Sequence, residues 1–522
     1  MKHLQMKNCP IIILAACWFI SFFVSAAISQ AAETSSSITV CLPAYIDSFD
    51  PTDHRSRLTQ QVLKNIFESL TSRDDNLNVI PELAQSWKLI DPLTWEFELK
   101  KSVLFHNGDE FTAEDVRFTF DRVVKEGGLG DGRTSPRRDL FDAIAGVEVV
   151  DKYKVRFHTQ RPWAVLPQML SLQEIVPQDY MRKMGSQGFD QRPIGTGPFR
   201  VEGFSQGVRI NLTRFEEHRD FVNLAPAEKA DRIRRLIFWV EPQTIEQIAG
   251  LKHGRFDIII NVPPSLTASL STSPDIRLIS TRATRSHFAE INCTKPPLNN
   301  RQIRQALNYA VDMYAIVNGV LVGRGKVLAT VLQPNSFGYD TTLEPYPYDP
   351  DRARAMLKSA GYPPDRHLKV YAHASDMDMA NALVLFFTKA GLQTDLVPTD
   401  SYRPKVTGPN SPWDLYVGSW GNSTLDPAGI ISPKFKSDGR GNYSGYANPG
   451  VDLLISNAEN TTDMNLRASY YQRVQEIIYE DAPMVFGFAA DEIYALRKNV
   501  LDFKPSSTGF FRLENVRLAP EE

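Results

Sequence analysis

Trp95-Glu96-Phe97-Glu98-Leu99 and Lys154-Val155-Arg156-Phe157 bracket Thr112-Ala113-Glu114-Asp115. The two outer pieces alternate apolar and polar residues, the period of a half-buried strand. The middle piece opens a helix: a threonine followed three residues later by an acid satisfies two otherwise orphaned backbone N–H groups at a helix start. Strand, helix and strand in one short span predict an α/β protein. The same alternation extends outward in both directions. Ile38 to Leu42 is predicted as an opening strand, and Leu58 to Leu70 as a helix with Val62, Leu63, Ile66, Phe67 and Leu70 on one face.

The second half is richer in helices. Asn300 to about Val320 places Ile303, Leu307, Ala310, Val311, Tyr314 and Val317 at helical spacing behind an Asn300 N-cap. Asp349-Pro350 opens a helix that Gly361 closes. Asp463 to Glu480 predicts another, with Leu466, Tyr470, Val474, Ile477 and Ile478 inward and Pro483 just beyond. No repeat and no low-complexity linker interrupts the pattern, so the domains are expected to be joined by strands passing between them.

Length and composition set the frame. With 522 residues, 42% of them hydrophobic and 23% charged, the chain can build large cores and more than one domain. The net charge of −3 implies no basic face and argues against nucleic acid as the main partner. Lys2 and Lys7 precede an apolar run from Ile11 to Ala27 and the small-residue exit Ser29-Gln30-Ala31-Ala32. That layout is a cleaved secretory signal over residues 1–31, which places the mature chain in the periplasm. A permanent anchor is the alternative, but the run sits at the lower limit for spanning a bilayer. Leu14-Ala15-Ala16-Cys17 resembles a lipobox, yet the residues after Cys17 stay apolar where a lipidated cysteine normally opens a polar tether. Cys9 and Cys17 leave with the signal; Cys41 and Cys293 then form one disulfide or stand as two buried thiols, and the second is the reading adopted.

Local catalytic motifs do not survive inspection. Gly203-Phe204-Ser205-Gln206-Gly207 matches a nucleophile elbow, which requires a strand turning into a helix. Here Val208 to Leu212 continues with strand alternation, so a β-hairpin is predicted instead. The histidines and cysteines show no zinc-ligand spacing, and Gly323-Arg324-Gly325-Lys326 lacks the remaining parts of a phosphate loop. No metal or cofactor is expected.

An ordered set of segments resembles the extracytoplasmic solute-binding proteins, family 5, of peptide-type ABC importers (the dipeptide, oligopeptide and nickel binders). It begins with Pro81-Glu82-Leu83-Ala84-Gln85-Ser86-Trp87 and continues through Trp95–Leu99 and Phe105-His106-Asn107-Gly108 to Phe111–Val116. Next come Ile194-Gly195-Thr196-Gly197-Pro198-Phe199, Pro296-Pro297-Leu298 and Arg304-Gln305-Ala306-Leu307. Tyr348-Asp349-Pro350, Trp420 to Asp426-Pro427, Tyr446-Ala447-Asn448-Pro449 and Asp481-Ala482-Pro483 complete it. Asn107 and Ser102 depart from the usual aspartate and glycine.

The resemblance implies a two-lobed periplasmic-binding-protein clamshell of the type II, cluster C-like kind, with an extra subdomain in lobe one. Lobe one would hold roughly residues 33–288 plus 487–522, with the subdomain at about 73–190, and lobe two roughly 289–486. Crossing strands near Ile291 and Val485 would form the hinge. The protein would be a monomer, not an enzyme, capturing a peptide or other small polar solute for the membrane permease subunits and cytoplasmic ATPases of an importer. A chemoreceptor reading the closed lobes is a further partner the fold allows.

The resemblance also implies where the solute sits. In peptide-binding relatives an aspartate three positions beyond the tryptophan matching Trp420 pairs with the ligand's α-ammonium; here that position is Ser423. A hydroxyl does not neutralise a buried ammonium, so free-amine peptides are expected to bind weakly. Asp426 either supplies the missing charge or simply caps a helix before Pro427. Trp420 is expected to offer a stacking surface, and Asn422 and Ser423 to serve hydroxyls or amides. Tyr45 and Phe488 are expected as wall residues, with Arg440 and Asn442 on a glycine-rich loop facing the cleft or solvent. The competing readings are a non-peptide ligand on the same fold (an opine, oligosaccharide, glutathione or metal chelate) and a secreted serine hydrolase using Ser205.

Overall fold

The computed structural model describes residues 37–519 apart from 75, 76, 131, 423 and 507. The segment read as a signal, with Cys9 and Cys17, lies outside the described residues, as does Ser423. One hydrogen-bonded sheet runs through both lobes. From the second-lobe edge its strands are Gln393–Thr399, His367–His373, Leu415–Gly421, Ile276–Ile291 and Met484–Arg497. It continues with Ile258–Ile259, Ser37–Leu42, Arg235–Val240, Arg209–Arg214 and Phe199–Ser205 in the first lobe.

The two longest strands, Ile276–Ile291 and Met484–Arg497, lie antiparallel and belong to both lobes. At one end Ile276, Ile493 and Ala495 pack in a first-lobe core with Cys41. At the other, Ala289, Ile291, Val485 and Phe488 pack under the second-lobe helices. Between these ends the ladder loses register, from Arg282 opposite Asp491 to Ser286 opposite Ala489. A bulge leaves residues unpaired and increases twist, so the strands are least regular where they leave one core for the other.

A four-stranded antiparallel sheet, ordered Ala84–Asp91, Thr94–Leu99, Lys154–Thr159 and Ile144–Asp151, is inserted in the first lobe with its own core. The helix Ala113–Val124 packs on it, with the Phe120 and Phe157 rings edge to face at 4.9 Å. Its capping box is present: the Thr112 N–H donates to Asp115 Oδ2 at 2.8 Å.

Two helices end earlier than their apolar periodicity predicts. The segment from Asn300 is two helices, Arg301–Tyr309 and Met313–Val320, because Asp312 caps a new start by accepting from the Ala315 N–H at 2.9 Å. Tyr314, inward on a single-helix reading, is 55% exposed. The helix Arg57–Leu63 stops because the backbone beyond it bonds elsewhere. Ile66 O accepts from Gly197 N and Asn65 O from Phe199 N, at 2.9 and 3.0 Å. Gly195 and Gly197 are required there, since a Cβ on either would lie within 2.5 Å of the Ile66 backbone. Cys41 and Cys293 are free thiols in different lobes, both pushed up to about 12 by burial. Among the described residues, no helix is long and apolar enough to cross a membrane.

Candidate functional site

A cavity of about 590 Å³ lies between the lobes. The first lobe lines it with residues such as Gln60, Arg137, Trp163 and Met169, and the second with Trp420, Asn422, Pro433 and Arg440. Thr284 and Arg285, in the stretch where the crossing strand loses register, lie along it too. Arg73 of the first lobe reaches across and donates to the Thr424 carbonyl at 2.5 Å, its buried Nε and Nη2 having no partner among the described residues.

Trp420 is held edge-on to the backbone: its Nε1–H donates to Gly429 O at 2.8 Å. A Cβ at Gly441 would come within 2.7 Å of the ring, so the loop after Arg440 needs glycine to approach so closely. Arg440 and Lys434 each lie 5.0 Å from the ring centre, a cation–π geometry. Lys434 also donates to Glu290 Oε1 at 2.5 Å and Gly441 O at 2.6 Å, which fixes this loop to the core.

Asn422 lines the cavity but its amide is occupied. Nδ2 donates to Asp426 O at 2.9 Å and Oδ1 accepts from Thr424 Oγ1 at 3.1 Å. Asp426 caps the turn Pro427–Gly429 through the Ala428 N–H at 3.0 Å. Its carboxylate is also gripped by both Nη atoms of Arg467, each at 2.7 Å. The turn cap and the ion pair together leave it no free charge for a ligand ammonium.

The remaining sequence-derived candidates lie elsewhere. Tyr45 packs against the first-lobe core, its hydroxyl pushed up to about 12 by burial with help from Asp190. Asn442 staples its own loop, donating to Lys436 O and Tyr446 O at 3.1 and 2.7 Å. Phe488 is buried in the second-lobe core, stacked on His287 at 5.1 Å. None of these three lines the cavity. Trp420, Asn422, Asp426 and Arg440 do.

On the first-lobe side Arg137 and Gln60 line the cavity, with His54, Lys64 and Glu174 behind them, groups that no sequence motif marks. Arg137, 2% exposed, donates to Leu172 O and faces His54 Nε2 at 3.3 Å, while its Nε–H is unpartnered. His54 is pushed down to about 3 by burial and by the Arg137 charge. Glu174 accepts from Gln60 at 3.1 Å and pairs with Lys64 at 3.2 Å. Burial pushes Glu174 up, but Lys64 and Arg137 outweigh it and hold the carboxyl below its ordinary value. Among the described residues, no group of three or more His, Cys, Asp or Glu side chains is placed to hold a metal ion.

Residues 78–442 match the family model of bacterial extracellular solute-binding proteins, family 5. The chain belongs to that family. Di/tripeptide-binding protein 1 of Pseudomonas aeruginosa is 27% identical, over 93% of this chain and 94% of the relative. Heme-binding protein A of Haemophilus influenzae is 28% identical, over 82% of this chain and 81% of the relative. The solved structure of HbpA2 from Haemophilus parasuis superposes with a TM-score of 0.80, at 24% identity, over 93% of this chain and all of that one. These relatives are binding proteins, not enzymes. The hairpin expected at Gly203–Gly207 is present: Phe199–Ser205 turns into Arg209–Arg214 through Gly207 at φ +73°, with no helix at the turn to project Ser205 as a nucleophile.

Proposed function

We propose that this family 5 member is the periplasmic binding component of an ABC importer. It captures a small polar solute between its lobes and presents the closed form to membrane permease subunits powered by cytoplasmic ATPases. The cavity walled from both lobes, beside two shared strands, carries this reading. Its volume falls in the range of small-molecule sites. The chain acts as a monomer, and binding free energy does all the work: a solute favours closure only by binding the closed arrangement better than the open one. We place the rotation where the strands lose register, around 282–286 and 489–491, a few residues from the crossing read in the sequence. Trp420 and Arg440 form the second-lobe wall against the solute, with Asn422 and Asp426 holding the turn behind them.

The relatives bind di/tripeptides and heme, so these head the list of solutes to try. Small-angle scattering with each should show a smaller radius of gyration for the one that binds. A radius unchanged at saturation by a tight-binding solute would count against closure. Ser205→Ala should leave solute binding unaltered, whereas a hydrolase would lose its turnover.

A further inference from the structure

The cavity's charges do not balance. Among the described residues, eight basic side chains line it, Arg55, Arg57, Arg137, Arg161, Arg285, Lys436, Arg440 and Arg467, against four acidic ones. Each of those four carboxylates already has a cation. Asp139 pairs with Arg55 at 2.5 Å, Asp142 with Arg161 at 3.0 Å, Asp426 with Arg467 at 2.7 Å and Glu459 with Lys436 at 3.8 Å. Arg57 takes Glu492, outside the lining, at 2.6 Å. Among the described residues, Arg137, Arg285 and Arg440 have no carboxylate within salt-bridge distance.

The three differ in what surrounds them. Arg285 donates to the Ser419 hydroxyl at 3.0 Å and Arg440 lies over Trp420, and both are open to solvent. Water reaches both, although partial desolvation still holds the Arg285 guanidinium below its ordinary value. Arg137 is different because it is buried, and a buried charge with no carboxylate bound to it is unfavourable. The buried carboxylate whose field reaches it, Glu174, is already bonded to Lys64 and Gln60. Burial accordingly pulls the guanidinium down to about 10. Its place on the cavity lining, with no carboxylate bound to it, makes an acidic group of the solute the missing charge partner.

Resting on the reading of this cavity as the solute site, we propose that the solute carries at least two acidic groups. One meets Arg137 on the first lobe, and another meets Arg285 and Arg440 on the opposite wall. A planar guanidinium suits carboxylate or phosphate geometry, and one anion touching both walls draws the lobes together. A solute ammonium, by contrast, finds no uncommitted carboxylate among the described residues of this lining.

The test uses two probes of the same shape and opposite charge character: N-acetyl-Glu-Glu and N-acetyl-Gln-Gln-amide, with trialanine as a free-amine peptide. Calorimetry should show N-acetyl-Glu-Glu binding and the neutral twin binding far more weakly, with a smaller radius of gyration in the acidic complex. Arg285→Gln and Arg440→Gln, both at accessible positions, should each weaken the acidic probe roughly ten- to hundredfold, the worth of one charge-assisted contact. Arg137→Gln should do the same, with its folding checked by circular dichroism. If trialanine or the neutral twin binds as well and compacts the protein, the acidic requirement is wrong while the importer reading stands. If the acidic probe binds without compaction and ignores all three arginines, it sits outside the cleft and the proposal fails. No binding of the acidic probe at millimolar concentration also overturns it.

Discussion

Arg467→Met should cost roughly 3–5 kcal/mol of stability, the usual penalty for stranding one member of a buried ion pair. The Arg467 and Asp426 side chains are 3% and 6% exposed and joined by two parallel hydrogen bonds. Arg467 Nε also donates to Ala458 O at 3.2 Å, and its guanidinium lies 5.1 Å from Phe337 and 5.0 Å from Tyr471. The substitution keeps much of the apolar stem and removes the charge, leaving the Asp426 carboxylate dry. Adding Asp426→Leu to it should recover most of the loss, because a buried ion pair replaced as a whole by apolar groups is often neutral. Scanning calorimetry on the single and double variants decides it. A single variant within about 1 kcal/mol of the parent would place the pair in solvent, where ion pairs contribute that little. The same pair explains why Asp426 does not stand in for an amine-binding carboxylate.

The cap residues were the most legible part of the chain. Thr112, Asp349 and Asp463 each accept or donate where a sequence reading puts a helix start, because capping is settled within four residues. Apolar spacing was less reliable. Ile303 to Val317 keeps helical period across a real break, and only Asp312, a cap inside an apolar run, signals that a second helix begins. Leu466, inward by period, is 43% exposed for a related reason: it sits in the first turn of its helix, where there is little to pack against.

The second-lobe side of the candidate site is more legible in the sequence than the first-lobe side. Trp420 and its neighbours fall on one local segment, so a family pattern finds them. Arg137 and Arg285 lie far from it in sequence, each an arginine in a polar stretch with no spacing to mark it. What makes Arg137 distinctive is burial within the field of Glu174 and against His54, brought together across the first lobe by its fold. Phe488 shows the converse error. It follows the crossing closely in sequence, but strand alternation turns its side chain into the second-lobe core.

Between pH 6.5 and 5 the protein should lose about 2 kcal/mol of stability for each of two buried histidines, as the linkage relation requires. His54 is held down to about 3 and His106 to about 4, in both cases chiefly by burial. His106 shows why. Its Nε2–H donates to Gly197 O at 2.9 Å, while Nδ1 accepts from the Gly195 N–H at 3.2 Å. A second ring proton would sit on Nδ1, facing a donor. Above pH 6.5 folded and unfolded chains are both neutral at these rings, so the contribution is complete. Below it the unfolded chain takes up protons that the folded chain refuses. Stability therefore falls with pH until about 4 for His106 and about 3 for His54. Carboxylates with depressed values weaken the fold only nearer pH 4.5 and below. Burial pushes Glu82, Asp115, Glu290 and Asp491 up and makes them act in the opposite sense, so it is the difference between parent and His106→Gln that isolates the histidine. His106→Gln preserves one donor and one acceptor, and should flatten that part of the profile while changing stability little at pH 7. Urea unfolding of the parent and variant across the window measures it. An unaltered slope in the variant would mean that His106 takes up its proton in the folded protein.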